Sequence, residues 1–326
     1  MKVIVIGLGS MGKRRVRLLK NRKDVSLIVG VDSSNERQNE AHEKLGIATY
    51  DSIETALNKN SFDCAFVCTS PLSHSPIIKT CLKNNLHIFS EFNLVSYGYE
   101  ENIKLPRDNN LTLFLSSTFL YRKETSYIKN RISQINNPIR YIYHIGQYLP
   151  DWHPWESLKS FFVSDRRTNG CREIVAIELP WIIDSFGEIG SIGSSHSTIS
   201  SLNLSYDDNF VINIKHKNGN EGTIFVDVVS RMPVRNFELY SDQIYISWDG
   251  TPYGLKDYNL EEKKLKSISL YDSVEHQNDY QSSIIENAYS SEIEEFFCVI
   301  NNNQKQLYGF EKDLNVLRIL DEIEGI

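Results

Sequence analysis

Three glycines within the first dozen residues constrain this chain more than anything else in it. Residues 2–12 read K-V-I-V-I-G-L-G-S-M-G. An apolar, β-branched run leads into Gly7, Gly9 and Gly12, and a helical pattern with Val16, Leu18 and Leu19 follows. Strand, tight turn and helix is the context in which G-x-G-x-x-G reads as a dinucleotide fingerprint. The three glycines play separate parts. Gly7 turns the chain, Gly9 lets backbone approach a diphosphate, and Gly12 lets helix pack on strand. Ser10 and Met11 open the helix, whose free N–H groups and partial positive charge favour phosphate.

A second strand, expected over 25–31, runs into Asp32. That carboxylate lies about 20 residues past the glycines, where it can accept hydrogen bonds from an adenosine ribose. No arginine adjoins it, so NAD is favoured over NADP, although Arg37 is close enough to leave NADP open. The bland alternative is a glycine turn in a doubly wound sheet that binds nothing.

A chain of 326 residues is long enough for two domains, each with its own core. The net charge of −7 argues against nucleic acid, because phosphate backbones need a basic face. Five cysteines without a C-x-x-C pair, and eight histidines without ligand spacing, point to no disulfide framework and no metal site. No leader pattern and no bilayer-length apolar run is visible, so the expected location is cytoplasmic.

Strand and helix signals alternate through residue 120. Helices are expected over 35–45, 52–57 and 73–84, strands over 62–68, 87–90 and 111–115, and a short apolar patch over 47–50. Alternation of this kind predicts a parallel sheet with ligands at the strands' carboxyl ends. After a helix at 123–134 strands dominate: 139–148, 197–204, 210–216, 222–229, 236–240 and 243–248. A helix at 172–186 interrupts them, residues 256–266 read as an exposed loop or edge, and helices at 282–300 and 310–323 close the chain. The expected architecture is an α/β Rossmann domain over 1–120, then an α+β domain with a large, mostly antiparallel sheet over 121–326, for substrate and oligomer contacts.

Three segments, G-L-G-S-M-G-K-R, F-V-C-T-S-P-L-S-H-S-P-I-I and N-N-L-H-I-F-S-E-F-N-L-V, stand in the order and spacing of a known first domain. With the two-domain plan, the chain resembles the Gfo/Idh/MocA family of oxidoreductases. The resemblance implies hydride transfer between a nicotinamide cofactor and a sugar or related polyol. It implies that Thr69, Ser70, Pro71 and His74 line the cofactor cleft, with Glu91 beside the nicotinamide ribose. It also implies pairing through the second sheet into a homodimer or homotetramer. The chain departs from the family at two motifs. Glu-Lys-Pro is Glu91-Phe92-Asn93 here, so the lysine is gone. The helix that carries a histidine in the family has none, and Glu178 falls within a residue or two of that position.

The proton of an alcohol must then move by another group. Residues 148–167, Y-L-P-D-W-H-P-W-E-S-L-K-S-F-F-V-S-D-R-R, are the most suggestive. Trp152 and Trp155 can stack on a sugar ring, His153 titrates near neutrality, and Arg166 and Arg167 can hold a carboxylate or phosphate. Lys123 or Tyr121 can replace the missing lysine. Glu178 lies on an apolar helical stripe beside Trp181, and is either functional or salt-bridged to Arg172 or a neighbouring strand; Arg172 is also a substrate-binding candidate. Structural alternatives exist for each: a domain-seam loop, a solvated helix start, a loop histidine at 74. Two other readings remain: a cofactor-binding sensor or partner protein without turnover, and a reductase of a non-sugar imine or lactone.

Overall fold

The computed structural model describes residues 1–152, 157, 161–277, 284–302 and 304–326, with 107–109 as backbone. The chain divides into two compact units. One comprises Met1–Ser117 and Tyr289–Asn315; the other comprises Thr118–Ala288 and Val316–Ile326. The first thus ends close to residue 120, but it also takes back a later segment that reads in sequence as part of the second domain.

The first unit is built on six parallel strands in the order β3-β2-β1-β4-β5-β6. They are β1 (Lys2–Ile6), β2 (Leu27–Val31), β3 (Ala48–Tyr50), β4 (Cys64–Val67), β5 (His87–Ser90) and β6 (Leu113–Leu115). Their crossover helices are α1 (Ser10–Lys20), α2 (Asn35–Leu45), α3 (Ile53–Lys59), α4 (Pro71–Lys83) and α5 (Tyr99–Asn109). Val3, Ile4 and Val5 and all four β4 residues are fully buried, as a strand covered on both faces requires. Local chemistry sets the helix starts: Ser34 and Ser52 accept the N–H groups of Arg37 and Thr55. Helix α5 has no counterpart among the expected elements, because Gly98 before it and Pro106 inside it read as breakers.

The second unit contains an eight-stranded sheet in the order β14-β13-β12-β11-β7-β10-β9-β8. Its strands are β7 (Arg140–Gly146), β8 (Ile189–Ser197), β9 (Asn209–His216), β10 (Glu221–Asp227), β11 (Val234–Tyr240), β12 (Tyr245–Trp248), β13 (Lys256–Asn259) and β14 (Lys264–Ser267). Pairing is antiparallel except between β7 and β10. Helices α6 (Lys123–Ile132) and α7 (Gly170–Phe186) belong to this unit. Tyr141 and Tyr143 on β7 point inward, against Phe186 and Trp181 of α7 and Phe237 of β11. Ile142, Phe225 and Tyr240 alternate onto the other face and are exposed.

One expectation fails here. The strand expected at 197–204 is instead β8, displaced toward the amino terminus. Asp208 accepts the N–H groups of Ile199 and Ser200, and Asp207 accepts the Thr198 hydroxyl, so turn chemistry holds the segment after β8. The stretch 256–266, read as an exposed loop or edge, forms the paired strands β13 and β14 at the edge of the sheet. Helices α8 (Glu286–Asn302) and α9 (Phe310–Glu324) close the chain. Within the first unit, Phe296 of α8 packs edge-on against Phe66, Phe89 and Phe114.

Candidate cofactor and substrate sites

The fingerprint loop has the geometry that its glycines predict. Gly7 takes a positive φ of 91°, and a Cβ there would stand 2.7 Å from the Cys68 carbonyl oxygen. A Cβ on Gly12 would run into the Gly7 carbonyl oxygen. A Cβ on Gly9 would meet nothing within 4 Å among the described residues, so the loop is open at the start of α1. The first turn of α1, which contains Ser10 and Met11, carries no acidic residue to compete with an anion.

Asp32, at the carboxyl end of β2, is nearly buried and oriented by two backbone donors. Leu8 N–H donates to Oδ2 at 2.8 Å, and Ser34 N–H donates to Oδ1 at 2.9 Å. A carboxylate held this way keeps further lone pairs for ribose hydroxyls. Arg37 Nη1 is 3.9 Å from Oδ2, the one cation placed to meet a 2′-phosphate among the contacts of Asp32.

Across the sheet, Ser70 precedes α4 and Pro71 is its first residue. Thr69 Oγ1 is buried without a hydrogen-bond partner among the described residues, a polar group left for a ligand. His74 is fully enclosed: Nε2 is 2.8 Å from the Thr69 carbonyl oxygen and Nδ1 is 2.7 Å from Asn93 Oδ1. Burial lowers its pKa, against the pull of those two contacts, and the ring ties the loop after β4 to the segment after β5. An open diphosphate loop, an oriented acid and an orphaned hydroxyl fit a dinucleotide.

Glu91 follows β5 directly. Both its oxygens are taken by Arg15 of α1, at 2.6 and 3.2 Å, and Arg15 also donates to Ser116 Oγ and to Glu292 of α8. Sequence reasoning missed Arg15 and Glu292. The available signal was a charged residue on the buried stripe that Gly12, Val16 and Leu19 define in α1.

In the second unit, Glu178 is fully buried on α7. Trp181 Nε1 donates to Oε2 at 2.6 Å, the Tyr143 hydroxyl donates to the same oxygen at 2.9 Å, and Arg235 of β11 pairs with Oε1. Its partner is therefore a neighbouring strand. Arg172 instead pairs with Asp321, at 2.6 Å, and with Glu324, at 3.5 Å. Lys123 Nζ donates to the Leu270 carbonyl oxygen at 2.9 Å and lies over the Tyr271 ring. Tyr121 is half-buried against the Tyr271, Ile285 and Ala288 cluster. Arg167 is exposed and paired with Asp165, whereas Arg166 lines a cavity of about 340 Å³ with His196, Tyr206, Asp207 and Glu324. Trp152 is half-buried, and its ring edge lies near Gly170 at the start of α7. His153 and Trp155 lie outside the described residues.

Glu173, which shares the helix with Arg172 and Glu178 in the sequence but is not singled out there as a site residue, is the exception to this pairing. Its Oε2 is shielded from solvent with no hydrogen-bond partner among the described residues, and burial pushes the carboxyl up to about 8. It stands one turn before Ile177 on α7, a spacing the sequence alone displays. Among the described residues no group of three or more His, Cys, Asp or Glu can hold a metal ion, and no helix is long and apolar enough to cross a membrane.

Known proteins share this amino-terminal sequence and this fold. Residues 1–97 match the family described as "Oxidoreductase family, NAD-binding Rossmann fold", GFO_IDH_MocA. Over 92 residues the chain is 33% identical to myo-inositol 2-dehydrogenase of Thermotoga maritima, and the match spans 28% of each chain. An oxidoreductase from Agrobacterium radiobacter, solved with NAD⁺, L-tartaric acid and magnesium, superposes with a TM-score of 0.83 at 12% identity, covering 100% of this chain and 96% of that one. UDP-N-acetylglucosamine 3-dehydrogenase from Acidithiobacillus ferrooxidans superposes at 0.78 and 16%, covering 100% and 97%. A levoglucosan dehydrogenase solved with NADH gives 0.80 and 15%, covering 99% and 95%. At these identities the three structures speak to the fold. The likeness to the Gfo/Idh/MocA oxidoreductases is thus carried by residues 1–97, which match that family's NAD-binding Rossmann fold.

Proposed function

We propose that this protein is an NAD-dependent oxidoreductase that moves a hydride between nicotinamide and a sugar or sugar derivative. The observation that carries this reading is the fit of the fingerprint loop and the oriented Asp32 to a dinucleotide. Similarity to an inositol dehydrogenase, and a fold shared with a nucleotide-sugar dehydrogenase and a levoglucosan dehydrogenase, support a polyhydroxylated substrate. When bound, nicotinamide supplies the hydride acceptor or donor. The chain's own residues must bind the sugar and move one proton. Ser10 and Met11 present helix N–H groups to the diphosphate, Thr69 offers its unpaired hydroxyl, and Ser70, Pro71 and His74 shape the loop around it. Trp152, Trp155, Arg166, Arg167 and Arg172 serve substrate, with Arg166 and Arg167 favouring a nucleotide-linked or acidic sugar. His153 carries the proton, with Lys123 and Tyr121 as its substitutes. Glu91 and Glu178 act as oriented charges. Five unpaired cysteines support a reducing, cytoplasmic compartment. The exposed face of the second sheet supports a homo-oligomer.

The test is a panel of sugars and nucleotide sugars in both directions, followed at the absorbance of NADH. His153→Asn should lower kcat at least tenfold and leave the Kd for NADH within about twofold. Unchanged kcat removes His153 from the proton path. One observation favours a second reading, a cofactor-binding sensor: Phe92 replaces the family's lysine, and the Glu91 and Glu178 carboxylates are already bound by arginine. Tight NADH binding with no turnover across the panel would select it.

A further inference from the structure

The cavity of about 340 Å³ in the second unit is walled by four separate pieces of chain. Arg166 precedes α7 and Asn169 caps it; His196 lies on β8, Asp207 and Phe210 at the start of β9, and Glu324 ends α9. Asn169 and Phe210 are buried, and the Phe210 ring packs on His196 with centroids 5.5 Å apart. The polar groups differ in what they have left to bind. Asn169 is saturated: its amide donates to the Arg166 carbonyl oxygen and to Glu324 Oε1, and its Oδ1 accepts the Arg172 N–H. Asp207 faces His196 Nδ1 with Oδ2, at 2.5 Å, and accepts the Thr198 hydroxyl on Oδ1, at 2.9 Å, which leaves a lone pair on each oxygen. The contact with His196 holds this carboxyl below its ordinary value. Glu324 meets Asn169, at 3.1 Å, and Arg172, at 3.5 Å, on the same oxygen; Oε2 accepts no hydrogen bond among the described residues. Burial pushes the Glu324 carboxyl up, but ionised or neutral it keeps an oxygen for a hydroxyl. The Arg166 guanidinium makes no hydrogen bond or ion pair among the described residues, whereas Arg167 beside it is paired with Asp165.

The cavity therefore offers two acceptor carboxyls and one donor fork, beside a wall of aromatic rings. Hydroxyls satisfy the acceptors, and an anionic group satisfies the fork. We propose that this cavity binds a small anionic sugar, with its carboxylate or phosphate on Arg166 and its hydroxyls on Asp207 and Glu324. A neutral polyol leaves the guanidinium to solvent. A bare phosphate leaves both carboxyls unfilled and brings its charge beside them. The volume falls at the lower end of the range for ligand pockets, about 300–1,000 Å³, which suits one sugar unit better than a nucleotide sugar. Arg172 acts here as a positioning residue, tying Glu324 and Asp321 of α9 to the start of α7.

Taking this ligand as the substrate rests on the oxidoreductase reading above; its binding does not. Calorimetry on the full chain, with and without NADH, gives the Kd values for D-glucuronate, D-gluconate, D-glucose 6-phosphate and D-glucose at neutral pH. At least one anionic sugar should bind roughly fivefold or more tighter than glucose, and Arg166→Gln should weaken it by a similar factor. Arg166 is exposed, so the variant keeps the fold. Tighter glucuronate or gluconate identifies a sugar acid, and tighter glucose 6-phosphate a sugar phosphate. No heat from any of the three anionic sugars, or equal binding by the native chain and the variant, overturns the proposal. The absorbance of NADH judges the oxidoreductase reading separately. Turnover of an anionic sugar with an unchanged KM in Arg166→Gln overturns this site alone, whereas binding without turnover keeps the site and removes its role in a reaction.

Discussion

Glu173 shows how much one side chain can reveal about a site whose other acids are already paired. Glu178, five residues on, is the better candidate by sequence, because it falls near the position of a family histidine. In the fold it meets Arg235, Tyr143 and Trp181. Glu173 Oε2 meets no hydrogen-bonding group among the described residues, and burial pushes the carboxyl up to about 8, so that it carries a proton at neutral pH. A folded-state value above the unfolded one means that the charged form opposes folding. The cost is absent below the ordinary carboxylate value of 4.5, grows with pH and levels off above about 8. Glu173→Gln removes that titration. Denaturant unfolding should show the variant gaining about 2–4 kcal/mol relative to the native chain between pH 4.5 and 8. A pH-independent difference would show that Glu173 finds a charged partner.

At the scale of elements, what sequence discloses depends on how local the determining contacts are. The span of α2 and the position of β5 are readable because a serine cap, an αL glycine at 46 and an apolar run all lie within a few residues. Strand β8 is not, because its glycines and serines carry no apolar alternation; it is defined by pairing with β9. The return of Tyr289–Asn315 to the first unit is harder still. Arg15 and Glu292 are 277 residues apart, and no periodicity reports such a contact. The same returning segment places Asp313 between two tyrosine hydroxyls, Tyr99 of α5 and Tyr308. Burial pushes its carboxyl up to about 6, against the opposing pull of both tyrosines. Here too the folded value is raised, so stability should fall as pH climbs from about 4 to above 6. Asp313→Asn cannot accept both hydroxyl bonds equally, so its absolute stability will differ. Its pH slope is the diagnostic quantity. The native chain should lose about 2–3 kcal/mol relative to the variant across that window, read as a shift in Tm between pH 4 and 7. Parallel slopes would place the titration elsewhere.

For the whole molecule, the exposed face of the second sheet carries the remaining argument. Along β7, inward Tyr141, Tyr143 and Ile145 alternate with outward Arg140, Ile142 and His144. The register sets His144 beside Phe225, Phe225 beside Val211, and Arg140 beside Tyr240. Ile142, Phe225 and Tyr240 thus put apolar side chains on a face that solvent reaches, with Glu238 and Thr223 flanking Ile142 in the register and the Arg140–Glu221 ion pair beside them. Exposed apolar side chains interleaved with charge suit a docking face, and a sheet face can meet its own copy across a two-fold axis. Because the contact would be isologous, each substituted residue acts in both protomers, and one charge becomes two like charges facing a buried surface. A native chain that self-associates through this face should therefore become monomeric at micromolar concentration in Ile142→Glu combined with Phe225→Glu, seen by sedimentation velocity, while Tm changes little because both side chains are solvent-exposed within the protomer. A native chain that sediments as a monomer, or a double variant that retains the native mass, would leave this face without its second copy.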